Sequence, residues 1–131
     1  MEQQIISEKS CGIIIKDNTI LLYEEWKSDQ DESKGTILKL PGGKVDEGET
    51  AEQALQREFL EETGIYLTTY THLFDIDGPL YKKGILIPQG ISRLHLYQCH
   101  LPSNTTIEPK EQSIKNIIRI PLDQVVELVA Q

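Results

Sequence analysis

The sequence predicts one α/β domain over residues 1–131, of the α/β/α or α+β kind, with strands gathered around an internal helix and a terminal helix. Three observations predict it. Aliphatic and β-branched runs recur as short segments bounded by turn residues. Thr50 to Gly64 carries helix start and stop signals around an apolar stripe. The chain then ends on a strand-like run followed by a helix-like one, with no repeat or low-complexity tract. A chain of this length buries roughly two-thirds of the surface its unfolded form exposes.

The elements follow in order. "CGIIIKDNTILLYEE" reads as two strands of a hairpin joined at Lys16–Thr19, because Asp17 and Asn18 form turns readily. "KSDQDESKG" is charged and aperiodic, which predicts a surface loop. "TILKL" is a short strand stopped by Pro41. The long helix is predicted to open at Thr50, which has capping-box spacing to Gln53, and to stop at Gly64, suited to the left-handed cap. "IYLTTYTHLFDID" and "ISRLHLYQCHL" alternate well enough for two strands. Between them "GPLYKKGILIPQG" carries two prolines and three glycines, which predicts a long excursion. "NIIRIPLDQVVELVA" is a strand followed by a helix starting near Pro121.

Composition excludes several classes of function. A formal charge of −8 argues against long nucleic acid as a partner, since phosphate contacts need clustered Lys and Arg. It leaves room for a small phosphorylated ligand beside a divalent cation, which reverses the local field. From Lys44 to Glu62, seven acids against Lys44 and Arg57 leave −5 of that total. Cys11 and Cys99 have no CxxC partner, and His72, His95 and His100 form no HxxxH pair, so neither a disulfide framework nor a zinc motif is indicated. The polar "MEQQIISEKS" lacks the apolar run of a signal peptide or membrane helix, so the expectation is a cytoplasmic protein away from membranes.

The helix itself poses a chemical problem. Ala51, Leu55 and Phe59 form its apolar stripe, and Glu58 and Glu62 fall at the edge of that stripe rather than opposite it. Carboxylates there are partly desolvated and repel one another unless a cation lies between them. Hard ions take carboxylate oxygens, so Mg²⁺ or Mn²⁺ fits best. Gly42 and Gly43, entered through Pro41, let the backbone approach a ligand closely or offer a carbonyl to a metal. Arg57 is placed to bridge Glu58 or a nearby loop carboxylate through charge-assisted hydrogen bonds. The pattern points to metal-assisted hydrolysis.

Gly43, Glu49, Arg57, Glu58, Phe59, Glu61, Glu62, Gly64 and Ile65 fill every fixed position of the Nudix box, GX5EX7REUXEEXGU with U bulky and apolar, and Leu60 and Thr63 stand at its variable positions. The chain therefore resembles the Nudix hydrolase family, of the MutT-like kind. Phe59 stands where Ile, Leu or Val is commoner. Leu38 and Arg119 stand where family members often carry Trp. The N-terminal hairpin, the LPGG lead-in and the "IPLDQV" step extend the resemblance over nearly the whole chain.

The resemblance implies a Nudix-type α/β/α sandwich with a central mixed sheet, one catalytic helix and one C-terminal helix. It implies hydrolysis of the pyrophosphate bond of a nucleoside diphosphate linked to another moiety, with nucleoside triphosphates favoured by the near-minimal chain. Dinucleoside polyphosphate or ADP-ribose hydrolysis, or a non-catalytic nucleotide-sensing module, stand as alternatives. By carry-over, Glu58 and Glu62 are metal ligands and Glu61 is a ligand or a base acting through water. Glu58 is also a candidate base, the Gly42 carbonyl completes the shell, Arg57 orients Glu58, and Glu49 braces the loop or reaches a second metal. Glu108 and Glu111, like Asp75 and Asp77, are candidate extra acids, and Tyr81 is a candidate base-stacking residue. The family also implies a monomer or homodimer.

Overall fold

The computed structural model describes residues 4–102 and 104–125. Strand β1 (Ile5–Ile13) is followed by β2 (Ile15–Lys16), β3 (Thr19–Trp26), a 3₁₀ turn (Glu32–Lys34), β4 (Thr36–Lys39), β5 (Gly42–Lys44) and helix α1 (Ala51–Thr63). Then come β6 (Thr69–Lys82), β7 (Ile85–His100) and β8 (Ile114–Pro121). Residues 122–125 are helical directly after Pro121, and the rest of the predicted C-terminal helix lies outside the described residues.

The central sheet is mixed, in the order β5-β1-β7-β6. In it β1 runs parallel to β7 from Ile5↔Gly90 to Ile13↔Gln98 and antiparallel to β5, with Ser10 opposite Gly43 and Cys11 opposite Gly42. In the second sheet β3 pairs with β2 and β4, and with β8. The predicted hairpin at Lys16–Thr19 forms, and Asp17 and Asn18 both take positive φ (51° and 60°), the conformation a two-residue type I′ turn requires.

Two boundaries differ from the sequence reading. The first strand starts at Ile5 rather than near Cys11, because Glu8 and Lys9 sit in a strand flanked on both edges by β5 and β7. Only partners distant in sequence reveal that strand. The "GPLYKKGILIPQG" stretch is no excursion: β6 and β7 continue through it to a turn at Lys83–Gly84. Pro79 is tolerated because β6 is an edge strand, and Pro88 because the register jumps from Pro79↔Ile91 to Leu80↔Ile87, leaving residues 88–90 without a β6 partner.

Helix α1 forms where the caps predict. The Thr50 hydroxyl accepts from the Gln53 amide at 3.1 Å while the Gln53 side chain accepts from the Thr50 amide at 2.9 Å. Gly64 closes the helix in the left-handed conformation, φ 76°. Leu55 and Phe59 are buried with Leu21, Tyr23, Leu67, Tyr97, Cys99 and Ile114, so the core joins α1 to both sheets. The Ser10 hydroxyl, fully buried, donates to the Ala51 carbonyl at 2.8 Å and pins the start of α1 to β1. Cys11 and Cys99 are free thiols, half-buried and buried respectively. No helix among the described residues is long and apolar enough to cross a membrane.

Candidate active site

The site is built where the third turn of α1 crosses β5. Arg57 is its hub. Its Nε donates to Glu49 Oε2 at 2.6 Å and its Nη2 to Glu49 Oε1 at 3.0 Å, a two-pronged grip on one carboxylate. Nη2 also donates to the Lys44 carbonyl at 2.9 Å, and Nη1 reaches Glu58 Oε1 at 3.0 Å and Glu61 Oε2 at 3.3 Å. Asp46 lies 3.4 Å from Nη2. One guanidinium thus ties helix to loop and fixes three glutamates at once.

Glu58 and Glu62 lie on the sheet-facing side of α1, one turn apart. The Glu58 carboxylate rests on the backbone of Gly43, where a Cβ would meet its Cδ at 2.6 Å and both oxygens at 2.8 Å. Glu62 is only 6% exposed and accepts a hydrogen bond from the Gly42 amide at 3.2 Å. Gly42 has φ +133°, and a Cβ there would fall 2.1 Å from the Ser10 carbonyl oxygen. Gly42→Ala should therefore destabilise the protein by on the order of 3 kcal/mol, measurable by denaturant unfolding. A Gly42→Ala variant as stable as the parent would contradict that packing.

Electrostatics divides these acids into two groups. Glu49 is held down to about 2, first by the Arg57 hydrogen bonds and next by the Asp46 backbone amide. Glu62 is pushed up to about 8, first by burial and then by the charge of Glu58. Burial also raises Glu58, against the opposing pull of Arg57. Arg57 spreads its charge over Glu49, Glu61 and Asp46 and reaches Glu58 through one nitrogen, while Glu62 is met by the uncharged Gly42 amide. The desolvated pair beside two glycine backbones fits a divalent cation, since carboxylate oxygens without a cation there meet burial and mutual repulsion together.

Arg57, Glu58, Glu61, Glu62, Glu49 and Gly42 are brought together in this way. Glu111 stands close enough for its charge to raise Glu58 and Glu62, and the neighbouring Lys110 amide donates to the Glu62 carbonyl at 2.8 Å. Tyr81 is exposed near the β6–β7 turn, opposite Leu86, and no hydrogen bond or ring contact among the described residues ties it to the carboxylates. Asp77 is engaged by Arg93, and Asp75 by His72 and His95.

Sequence reasoning missed Tyr23. Its hydroxyl is buried and approaches the Glu62 carboxylate, without a geometry that closes a hydrogen bond. Burial, and next the Glu62 charge, raises its pKa. The available signal was its place two residues after Leu21 on β3, a polar tip on an inward-facing row.

A model of the NUDIX domain matches residues 7–131. The chain belongs to the Nudix family. Among curated Nudix relatives, the 8-oxo-dGTP diphosphatase of Haemophilus influenzae is 43% identical over 65 residues, 50% of this chain and 46% of that protein. The ADP-ribose pyrophosphatase of Methanocaldococcus jannaschii is 52% identical over 54 residues, 41% of this chain and 30% of that protein. The match thus spans less than half the length of either relative. A MutT NUDIX hydrolase from Burkholderia pseudomallei superposes with a TM-score of 0.71 at 28% identity, covering 93% of this chain and 86% of that one. The fold is therefore the mixed α/β Nudix fold.

Proposed function

We propose that this chain is a Mg²⁺- or Mn²⁺-dependent pyrophosphohydrolase acting on a nucleoside diphosphate linked to a further moiety, with nucleoside triphosphates the favoured class. The observation that carries the reading is the pair Glu58 and Glu62, desolvated against the Gly42–Gly43 backbone while Arg57 holds Glu49 and Glu61 beside them and orients Glu58. Glu58, Glu61 and Glu62, with the Gly42 carbonyl, are the assigned metal ligands. A bound divalent ion supplies charge neutralisation for the diphosphate and acidifies the attacking water. Arg57 keeps Glu58 and Glu61 in fixed orientations, so one of these two carboxylates accepts the proton of that water. Glu49 braces the loop through Arg57. The acids surround a site too negative for a nucleic-acid backbone but suited to a small nucleotide that arrives with its cation.

The activities for which the two relatives are named, on an oxidised nucleoside triphosphate and on ADP-ribose, support the nucleotide class and supply a second substrate arm. A panel of nucleoside triphosphates, 8-oxo-dGTP, ADP-ribose, dinucleoside polyphosphates and nucleotide sugars, assayed with Mg²⁺ and Mn²⁺, tests the proposal. Metal-dependent turnover of at least one member is expected. Binding of a nucleotide with no turnover of any would replace the enzyme by a nucleotide-sensing module.

A further inference from the structure

We propose that His72, Asp75 and His95 form a second metal site, selective for a borderline transition ion of the Zn²⁺ kind and separate from the acidic helix. The three residues sit on adjacent strands of the central sheet, His72 and Asp75 on β6 and His95 opposite Asp75 on β7. A strand with regular alternation places residues three apart on opposite faces. Here the register shift between His72 and Phe74 adds one residue and returns His72 and Asp75 to the same face. Their ligand atoms all lie within 4.8 Å of one another. Asp75 Oδ1 is 2.7 Å from His72 Nε2 and 2.8 Å from His95 Nδ1. A coordination shell of about 2.0–2.1 Å needs neighbouring ligand atoms roughly 3 Å apart.

Hydrogen-bond bookkeeping points the same way. His95 carries a carboxylate oxygen at each ring nitrogen: Asp75 at Nδ1, and Glu8 of β1 at Nε2, 3.0 Å away. A neutral imidazole has one donor, so the second contact needs a positive charge at the ring, either a second ring proton or a metal cation. A cation taken up by Asp75 Oδ1, His95 Nδ1 and His72 Nε2 supplies it, and leaves the His95 Nε2–H donating to Glu8. That is the carboxylate–histidine–metal relay which orients ligating imidazoles. Both rings are also held: the His95 side chain is 14% exposed, and His72 packs edge-on against Tyr97 at 5.2 Å between centroids. Neighbouring Arg93 is already satisfied by Asp77, at 2.8 Å and 3.0 Å, and does not compete for Asp75.

Two imidazoles with one carboxylate select Zn²⁺, Co²⁺ or Ni²⁺ over Mg²⁺, which prefers an all-oxygen shell. The inference does not rest on hydrolytic activity, because none of its ligands belongs to the acidic helix.

The test is a titration of the full chain with Co²⁺, followed by visible absorption, and with Zn²⁺, followed by calorimetry, both under excess Mg²⁺. One equivalent that Mg²⁺ does not displace is expected. That equivalent should be lost in His72→Gln and in His95→Gln, weakened about 10–100-fold in Glu8→Gln, and kept in Glu58→Gln and Glu62→Gln. His72 is half exposed, so His72→Gln leaves the fold intact, which a metal-free melt would verify. Unchanged stoichiometry in both histidine variants, displacement by Mg²⁺, or loss of the equivalent on changing Glu58 and Glu62 would each overturn the proposal.

Discussion

Glu58→Gln and Glu62→Gln should each lower metal-dependent hydrolysis by on the order of 10²–10⁴-fold while leaving the protein folded. Each substitution keeps the size of the side chain and removes its charge, so it subtracts the attraction for a cation without opening a cavity. The two variants should differ in stability. Glu62 is buried, and its ionisation in the metal-free protein is opposed by burial and by Glu58. Glu62→Gln removes that opposition and should raise the metal-free melting temperature at alkaline pH. Glu58 also partners Arg57, so Glu58→Gln gives up a charge-assisted hydrogen bond and gains less. Steady-state kinetics and paired melts measure both effects. Full activity in both variants would remove the helix carboxylates from the reaction.

The same desolvated pair explains how far the site was legible in the chain. The box gave the carboxylates, the glycines and Arg57 because their spacing is local: one helix, one cap and one turn set it. The placement of Glu58 and Glu62 at the edge of the apolar stripe was visible from helical periodicity alone. What stayed hidden depends on pairing between distant strands. The reach of β1 back to Ile5 needs β7 beside it, and the Asp75–His95 contact needs the β6 register shift. Tyr23 meets Glu62 only because the core stacks β3 against α1. The excursion expected from Gly78 to Gly90 failed for a related reason: proline and glycine break a strand only where the ladder requires their amide or side chain, and an edge strand with a bulge does not.

The metal affinity of the helix site should fall about tenfold per pH unit below about 8 and level off above it. Metal ligands must be deprotonated, and the Glu62 carboxyl is pushed up to about 8 from its ordinary 4.5, first by burial and then by Glu58. Binding below that value must therefore expel a proton, about one per site. The sign for the metal-free protein follows from the same shift. A carboxyl whose folded pKa is raised stabilises the fold fully below its unfolded value, and that contribution is lost as pH rises through the folded one. Metal-free stability should accordingly decline between about pH 5 and pH 9, by up to a few kcal/mol. Glu58, also raised by burial, acts in the same direction. Glu49 has the opposite sign: its contribution is full above the ordinary carboxyl value of 4.5 and is lost as the pH falls from there toward about 2, below this window. Magnesium should then stabilise the protein most at the alkaline end, where the unprotonated pair most needs a cation, and Glu62→Gln should flatten the dependence. Melts with and without Mg²⁺ across this range, with calorimetry in buffers of different ionisation enthalpy to count protons, provide the measurement. A magnesium shift that stays constant with pH, accompanied by no proton release, would show that the buried carboxylate takes no part in holding the ion.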